Sequence, residues 1–557
     1  MSPHILTQRP LAFFGNSIIL AILLVSMLFS FGVNAPRSAQ AQDDDQAQEC
    51  GKPRTVVMHD PELDDQNTLI RYLLYSNEFD TQALVYQSGR YHWKGDGQGT
   101  PYTGEVSEHL GLGITDPVSN WRWDEDERFI EDTVDAYAEV YPNLSVHAEG
   151  YPDPDELRSR IIVGNIEFPG DISKDSPGSD LIKSLLLDDN PCPVWLLTGA
   201  GQSTIGRALL SIEEEYKDTD EWDAIYEKVS KKAIISSFGD QDDVYANYIG
   251  PNWPDIEFRE MSTTIWGYLA NRVVLTRDAQ YLSTAWTQAN VSEVGPLGAL
   301  YRVWGDGKQM AEGDPVDFFG FNGLTGDQIT RLGYSCWFCN FGLELGEPGS
   351  WISEGDTSMW MNLLDNGLEG DVDASYGGWG GRNADDINPA TGEADENYAS
   401  TRWFGAAQRD FAARLQWSVT PNYEDANHKP VVEVAELETT VLPGETVTLT
   451  GMATDPDGDH LVGRWWQYAE AGTYPGQLEL AAVGEEPLPE FTYREDLPGP
   501  GDPAIDALIE AEIEKTVEFT VPDDAEAGQT LHLIFEVTDM GSPNLTSYQR
   551  VVLTVGE

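Results

Sequence analysis

Four carboxylates fall within the six residues Asp60-Pro61-Glu62-Leu63-Asp64-Asp65. Like charges at close range push one another's pKa upward, and a hard divalent cation held by oxygen ligands is the natural way to relieve that repulsion. A solvated acidic turn is the plain alternative. The chain holds 95 Asp plus Glu, and adjacent acidic pairs recur at Asp188-Asp189, Asp242-Asp243, Asp385-Asp386 and Asp523-Asp524, so spacing alone does not decide. The flanks add more. Thr55 to His59 read as a buried strand, and Leu69, Ile70, Leu73 and Leu74 follow at helical spacing. Pro61 fixes the turn between them and sets Asp64 and Asp65 at a helix start, where the helix dipole favours negative charge. In an open parallel sheet ligands bind outside the carboxyl ends of the strands, which is where these acids would lie.

The elements that must position this stretch alternate in type. Between residues 52 and 420, strand candidates at 54–58, 81–87, 144–147, 193–198 and 232–237 are interleaved with helix candidates at 65–77, 125–141, 153–163, 178–188, 203–217 and 404–416. Such alternation predicts an α/β domain with a mostly parallel sheet and helices on both faces. A polar linker follows at 421–430, and short alternating runs over 431–557 predict an immunoglobulin-like β-sandwich. Within it, Asp455-Pro456-Asp457-Gly458-Asp459 is either a calcium loop or a plain acidic turn, and Trp465, Trp466 and Tyr468 either stack on sugar rings or fill the core.

Residues 1–41 combine Arg9, an apolar run over 18–33 and the ending Ala39-Gln40-Ala41, the pattern of a secretory signal peptide; a membrane anchor through 18–33 is the second reading. Both make the folded part an exported one, secreted or periplasmic, with a disordered acidic segment at 42–51. Against the acids stand 33 Lys plus Arg, a formal charge of −62, which repels nucleic acid and anionic membranes and argues against both as partners. The balance suits a halophilic protein kept soluble in high salt, where repulsion is screened. Cys50 precedes the first strand and Cys192 the apolar run from Pro193 to Leu197, so the two thiols share a sheet edge if those strands are parallel neighbours. Cys336-Trp337-Phe338-Cys339 lacks the second pair or nearby His that completes a zinc set, which leaves a local disulfide as the expectation. Oligomeric state is not legible at this level.

The motif Asp60-Pro61-Glu62-Leu63-Asp64-Asp65 after a strand resembles the amino-terminal aspartate cluster of nucleoside hydrolases, calcium-dependent enzymes that cleave ribose from a base. Taken with the run from Arg71 to Asp80, Gly295-Pro296-Leu297, Glu354-Gly355-Asp356-Thr357, the run from Tyr376 to Arg382 and the β tail, nearly all of the mature chain resembles the bacterial cellulose-binding family with a nucleoside-hydrolase-like domain. The resemblance implies that Asp60 ligates calcium and acts as base toward the metal-activated water. By the same token Asp65 is a second ligand, Asp356 the distal one, and a backbone carbonyl near Ser203 the last, while Asp64 bonds a sugar hydroxyl. The sequence also departs from nucleoside hydrolases, which carry Asp where Met58 stands and Gly where Glu62 stands. In place of their ribose motif stands Gly239-Asp240-Gln241-Asp242-Asp243, whose Asp240 and Asp242 are candidates for contact with a polyol.

The reaction so implied is calcium-dependent hydrolysis of an N-glycosyl or related glycosidic bond, through an oxocarbenium-like state that adjacent carboxylates stabilise. His92, in Tyr91-His92-Trp93, is placed to protonate the leaving group or, with Trp93, to stack on a sugar; a loop histidine without catalytic duty is the other reading. The alternative function is a non-catalytic binder of cellulose or another polysaccharide on the same fold. It would grip glucan through surfaces around Trp93, Trp351, Trp379 and Trp403, unless core packing claims those rings.

Overall fold

Arg54 to His59 form the first strand, β1, and all six of its residues are buried, as a central strand of a parallel sheet covered on both faces requires. The computed structural model describes residues 50–102, 117–261, 264–308, 346–484 and 511–557. The signal-peptide segment, most of 42–51 and the Cys336 and Cys339 pair lie outside them. The sheet adds β2 (Asp80–Tyr86), β3 (Ile161–Val163), β4 (Val194–Thr198), β5 (Ala233–Ser237) and β6 (Glu257–Glu260). Its order is β3-β2-β1-β4-β5-β6, and every pairing is parallel. The chain winds outward from β1 in one direction and returns to wind outward from β4 in the other. Between β1 and β4 it therefore opens the crevice in which such sheets place ligands.

Alternation along β1 divides two cores. Val57, with Leu84 and Leu197, packs under α1 (Leu63–Leu74), α2 (Phe129–His147) and, further along the chain, α6 (Phe404–Val419). Val56 and Met58, with Val85, Leu196 and Ile235, pack under α3 (Pro177–Leu187), α4 (Ser203–Tyr216) and α5 (Trp222–Lys232). β1 and β4 are parallel neighbours with Arg54 opposite Val194. Cys50 and Cys192 are both disulfide-bonded.

Two expected elements change type. The strand expected at 144–147 is the last turn of α2. There Leu144 and His147 are buried while Ser145 and Val146 are exposed, the three-residue spacing of a helix; Pro142 sits inside that helix and does not end it. The helix expected over 153–163 stops at Ser159, and Ile161–Val163 pair with β2 as the edge strand.

A two-stranded ribbon, β7 (Asp386–Asn388) and β8 (Glu393–Asp395), comes before the C-terminal region, whose strands include β9 (Val431–Val434), β10 (Glu438–Val441), β11 (Thr446–Thr454), β13 (Ala481–Val483) and β14 (Glu512–Thr520). That region forms two four-stranded sheets, β10-β16-β15-β12 and β13-β14-β11-β9, antiparallel except for the β10–β16 pair, consistent with a sandwich. Here β12 is Leu461–Gln467, β15 Thr530–Asp539 and β16 Thr546–Val555. Trp465 stacks on Phe535 in its core and Tyr468 is fully buried. The segment 421–430 is tied down. Asn427 donates to Asp539 and to the Pro543 carbonyl, and His428 bonds Asp457, so the acidic turn at 455–459 anchors the linker. Arg550 of β16, fully buried, donates to the carbonyls of Leu368 (2.7 Å) and Tyr376 (3.1 Å) and fastens the sandwich to the first domain. Among the described residues no helix is long and apolar enough to cross a membrane.

Candidate metal centre

The carboxyl end of β1 delivers His59 and Asp60, Pro61 and Glu62 turn the chain, and α1 starts at Leu63, so Asp64 and Asp65 occupy its first turn. Asp65 Oδ1 accepts from the Asp60 backbone N–H at 3.2 Å and lies 3.0 Å from His59 Nδ1. Asp356 reaches the same point from almost three hundred residues further on. One ligand atom from each of His59, Asp65 and Asp356 lies within 4.8 Å of the others, and Glu62, Asp64 and Asp65 form a second such group, as do Asp60, Glu62 and His92. The charge of Asp356 in turn helps to raise the Asp65 carboxyl.

α1 is what brings the distal acid in. Asn67 holds two far segments at once: its amide donates to the carbonyls of Arg302 and Ser353, each at 3.0 Å, and its oxygen accepts from Arg302 N–H at 2.7 Å. One turn on, Arg71 forms a fork with Glu354 in which neither side chain touches solvent. Tyr301 and Thr357 also donate to that carboxylate, and Arg71 lies over the Phe411 ring at 3.7 Å. A buried pair with its remaining lone pairs satisfied fixes geometry more than it adds stability. Here it fixes the 353–357 loop. From that loop Ser353 donates to Asp64 at 2.8 Å and Asp356 enters the cluster.

Glycines let the carboxylates close in. A Cβ on Gly199, just after β4, would lie 2.1 Å from Asp356 Cγ, and one on Gly89, just after β2, 2.1 Å from Asp60 Oδ2. Gly89 also pairs with His92 in a tight turn, which places the imidazole Nδ1 3.2 Å from Asp60 Oδ1 and 3.5 Å from Glu62 Oε2.

Burial, and then mutual repulsion, governs the electrostatics. Glu62, Asp65 and Asp356 are all held well above the ordinary carboxylate range, chiefly by burial and next by neighbouring acids: Asp64 for Glu62 and Asp356, Asp356 itself for Asp65. Asp64 is raised too, by burial and by Asp60, against the lowering bond from Ser353. Burial pushes the His59 imidazole down to about 3, so it is neutral, with Nδ1 hydrogen-bonded to Asp65. Asp60 Oδ1, Asp356 Oδ2 and both ring nitrogens of His92 are buried with no hydrogen-bond partner among the described residues. Orphaned carboxylate oxygens aimed into a nest of raised carboxyls are what a cation would complete, and an oxygen-rich donor set fits a hard divalent ion such as calcium.

Asp60, Asp64, Asp65 and Asp356 are thus brought together, and His92 with them as a fully buried partner of Asp60 in place of an exposed loop histidine. Other expected site residues are employed elsewhere. Ser203 gives its N–H and hydroxyl to Asp242 and accepts from Gly170, bonds that leave its backbone carbonyl out of account, and Gly199 of the same loop touches the cluster. Asp242 is consumed by that latch, and Asp240 accepts the N–H groups of Tyr245 and Ala246. Trp93 is wholly buried against Trp121, Tyr102, Val118 and Phe168, and Trp351, Trp379 and Trp403 are buried as well, so none of the four offers a ring to a glucan chain. Sequence reasoning did not assign roles to His59, to Glu62 with its donor Tyr268 at 2.9 Å, or to Gly89. The signal for the first two was their position inside the acidic motif; for Gly89 there was none beyond its lying after a strand.

A family described as cellulose-binding Sde182, nucleoside hydrolase-like domain, matches residues 54–383, and the C-terminal domain of cellulose-binding protein Sde0182 matches 446–497 and 489–555. Among solved structures, a nucleoside hydrolase-related hypothetical protein from Saccharophagus degradans, described as associated with carbohydrate metabolism, aligns with 91% of this chain and 100% of its own at 23% identity and a TM-score of 0.60. That likeness supports the fold. Domains 4 and 5 of the S-layer protein SbsC align with 23% of this chain and 54% of theirs, at 14% identity and a TM-score of 0.14, too low to bear on the argument. No curated protein matches the chain.

Proposed function

Because the chain belongs to the cellulose-binding family with a nucleoside-hydrolase-like domain, we propose that it is an exported, carbohydrate-directed protein whose acid cluster holds calcium and hydrolyses an N-glycosyl or related glycosidic bond. The observation that carries this reading is the chain of three adjoining ligand groups, His59-Asp65-Asp356, Glu62-Asp64-Asp65 and Asp60-Glu62-His92, with oxygens on Asp60 and Asp356 that have no hydrogen-bond partner among the described residues. Those three would hold the ion, with Asp64 or Glu62 completing the set. When bound, a divalent cation supplies Lewis acidity that makes water nucleophilic near neutral pH.

The chain's own residues supply the rest. Asp60 would accept the proton of the attacking water, with the His92 Nδ1 3.2 Å from its Oδ1. Asp64, fixed by Ser353, is the candidate for a sugar hydroxyl. The remaining buried carboxylates face a developing positive charge on the sugar with favourable sign. A non-catalytic polysaccharide binder on the same fold is the second reading. It draws on Glu62, whose carboxylate stands 3.5 Å from His92 inside the cluster and narrows the room for a sugar. Metal analysis of the purified protein, with a product screen across nucleosides and short glucans, tests both. Calcium-dependent product release abolished by Asp60→Asn is the expected result; bound calcium with no product from any substrate would leave only the binder.

A further inference from the structure

We propose that the cleft between the first domain and the β-sandwich, remote in sequence from the acid cluster, binds a saccharide that carries a carboxylate. The cleft encloses about 530 Å³, within the usual range for a small-molecule site. Its walls hold four arginines, Arg277, Arg402, Arg409 and Arg464, and two acids, Asp278 and Glu536. That reverses the balance of the whole chain, where 95 acids face 33 Lys plus Arg.

Charge matching isolates one of the four. Arg277 lies 3.4 Å from Asp278, Arg402 3.1 Å from Asp386, and Arg464 2.9 Å from Glu536. Arg409, on α6 and partly buried, meets no carboxylate within ion-pairing distance among the described residues. Its Nε donates to the Asn544 carbonyl at 2.9 Å and its Nη1 to the Tyr281 hydroxyl at 3.1 Å, neutral acceptors that hold the guanidinium in place, while Asp278, shared with Arg277 and beyond ion-pairing distance, offsets its charge only in part. Arg550 likewise has no ion-paired acid among the described residues, but it is fully buried and committed to His532 and to backbone carbonyls. Arg409 instead lines an open cleft, with Nη2 uncommitted to any described acceptor. A planar donor fork held still in that way suits a carboxylate.

The neighbours fit a sugar around that anion. Trp466 of β12 is half-buried, and its Nε1–H donates to Glu536 at 3.0 Å, which fixes the indole in the wall. Thr538 and Thr546 line the same cleft, their hydroxyls 2.9 Å apart. An aromatic wall beside hydroxyls and a fixed guanidinium is the chemistry for a uronate ring. The saccharide half of the assignment rests on the carbohydrate reading above; the anionic half rests on Arg409 alone.

The test is calorimetric titration of the full chain with a galacturonate trisaccharide and with cellotriose, using wild type, Arg409→Gln, Arg409→Lys and Asp60→Asn. Wild type is expected to bind the acidic sugar in preference to the neutral one, about tenfold more weakly in Arg409→Gln and more weakly again in about 0.5 M sodium chloride. Arg409→Lys should recover part of the loss. Asp60→Asn should bind as wild type does, because failure of the hydrolytic reading does not touch this cleft. Equal affinity for both sugars, no binding at millimolar concentration, or an Arg409→Gln protein that melts normally and binds the acidic sugar unchanged would each overturn the proposal.

Discussion

Asp356→Asn should stabilise the metal-free protein and remove its response to calcium. The ligand atoms of Asp65 and Asp356 lie within 4.8 Å of each other. At that distance two unit charges repel by about 3.5 kcal/mol at an effective dielectric of about 20. The carboxyls escape part of this by staying protonated, as the raised positions of Asp65 and Asp356 reflect. At pH 8 that escape is least available, so the amide relieves up to about 3 kcal/mol, or about 3 °C in a chain of this size. Calcium at a hundred times its dissociation constant would add about 2.7 kcal/mol to the wild type, a similar shift.

The assay is thermal melting after chelation, with and without added calcium, from pH 4 to pH 8. Glu62, Asp64, Asp65 and Asp356 all have folded-state pKa values raised above the unfolded ones. Their contribution to stability is therefore fully present below the ordinary carboxylate pKa and is lost as pH rises through the folded values. The chelated wild type should weaken over that climb, the calcium increment should grow, and Asp356→Asn should lose most of both effects. If calcium leaves wild-type melting unchanged at pH 8 and the variant is no more stable than wild type, the cluster is not a cation site.

Two further substitutions probe the scaffold. Arg71→Ala leaves Glu354 buried without its counter-charge and should cost about 3–5 kcal/mol in urea melts; a loss under about 1 kcal/mol would mean the fork does not hold the 353–357 loop. Gly89→Ala puts a methyl 2.1 Å from Asp60 Oδ2, so it should abolish the calcium-induced rise in melting temperature while far-ultraviolet circular dichroism stays native; an undiminished rise would show that Asp60 is dispensable for the ion.

The α/β alternation, the burial of β1 and the β tail were legible because burial on both faces and period-two patterning are written locally, residue by residue. The ends of elements were less so. The 144–147 run looked like a strand because its apolar residues are few and short, and only the packing of Leu144 and His147 one helical turn apart resolves it. For the centre, the chain itself supplied Asp60, Glu62, Asp64 and Asp65 as neighbours on a strand-turn-helix. Adjacency in sequence could say nothing of which distant groups join them. Asp356 arrives because Asn67 and Arg71 grip its loop from one face of α1, and Gly199 and Gly89 give the carboxylates room. The same holds for what was displaced: Asp240, Asp242 and the tryptophans carry the right chemistry for a sugar site, but hydrogen-bond donors of the protein and core packing claim them first. A side chain's chemistry is set by its covalent structure, whereas its availability depends on which buried donors and cavities the fold leaves for it to satisfy.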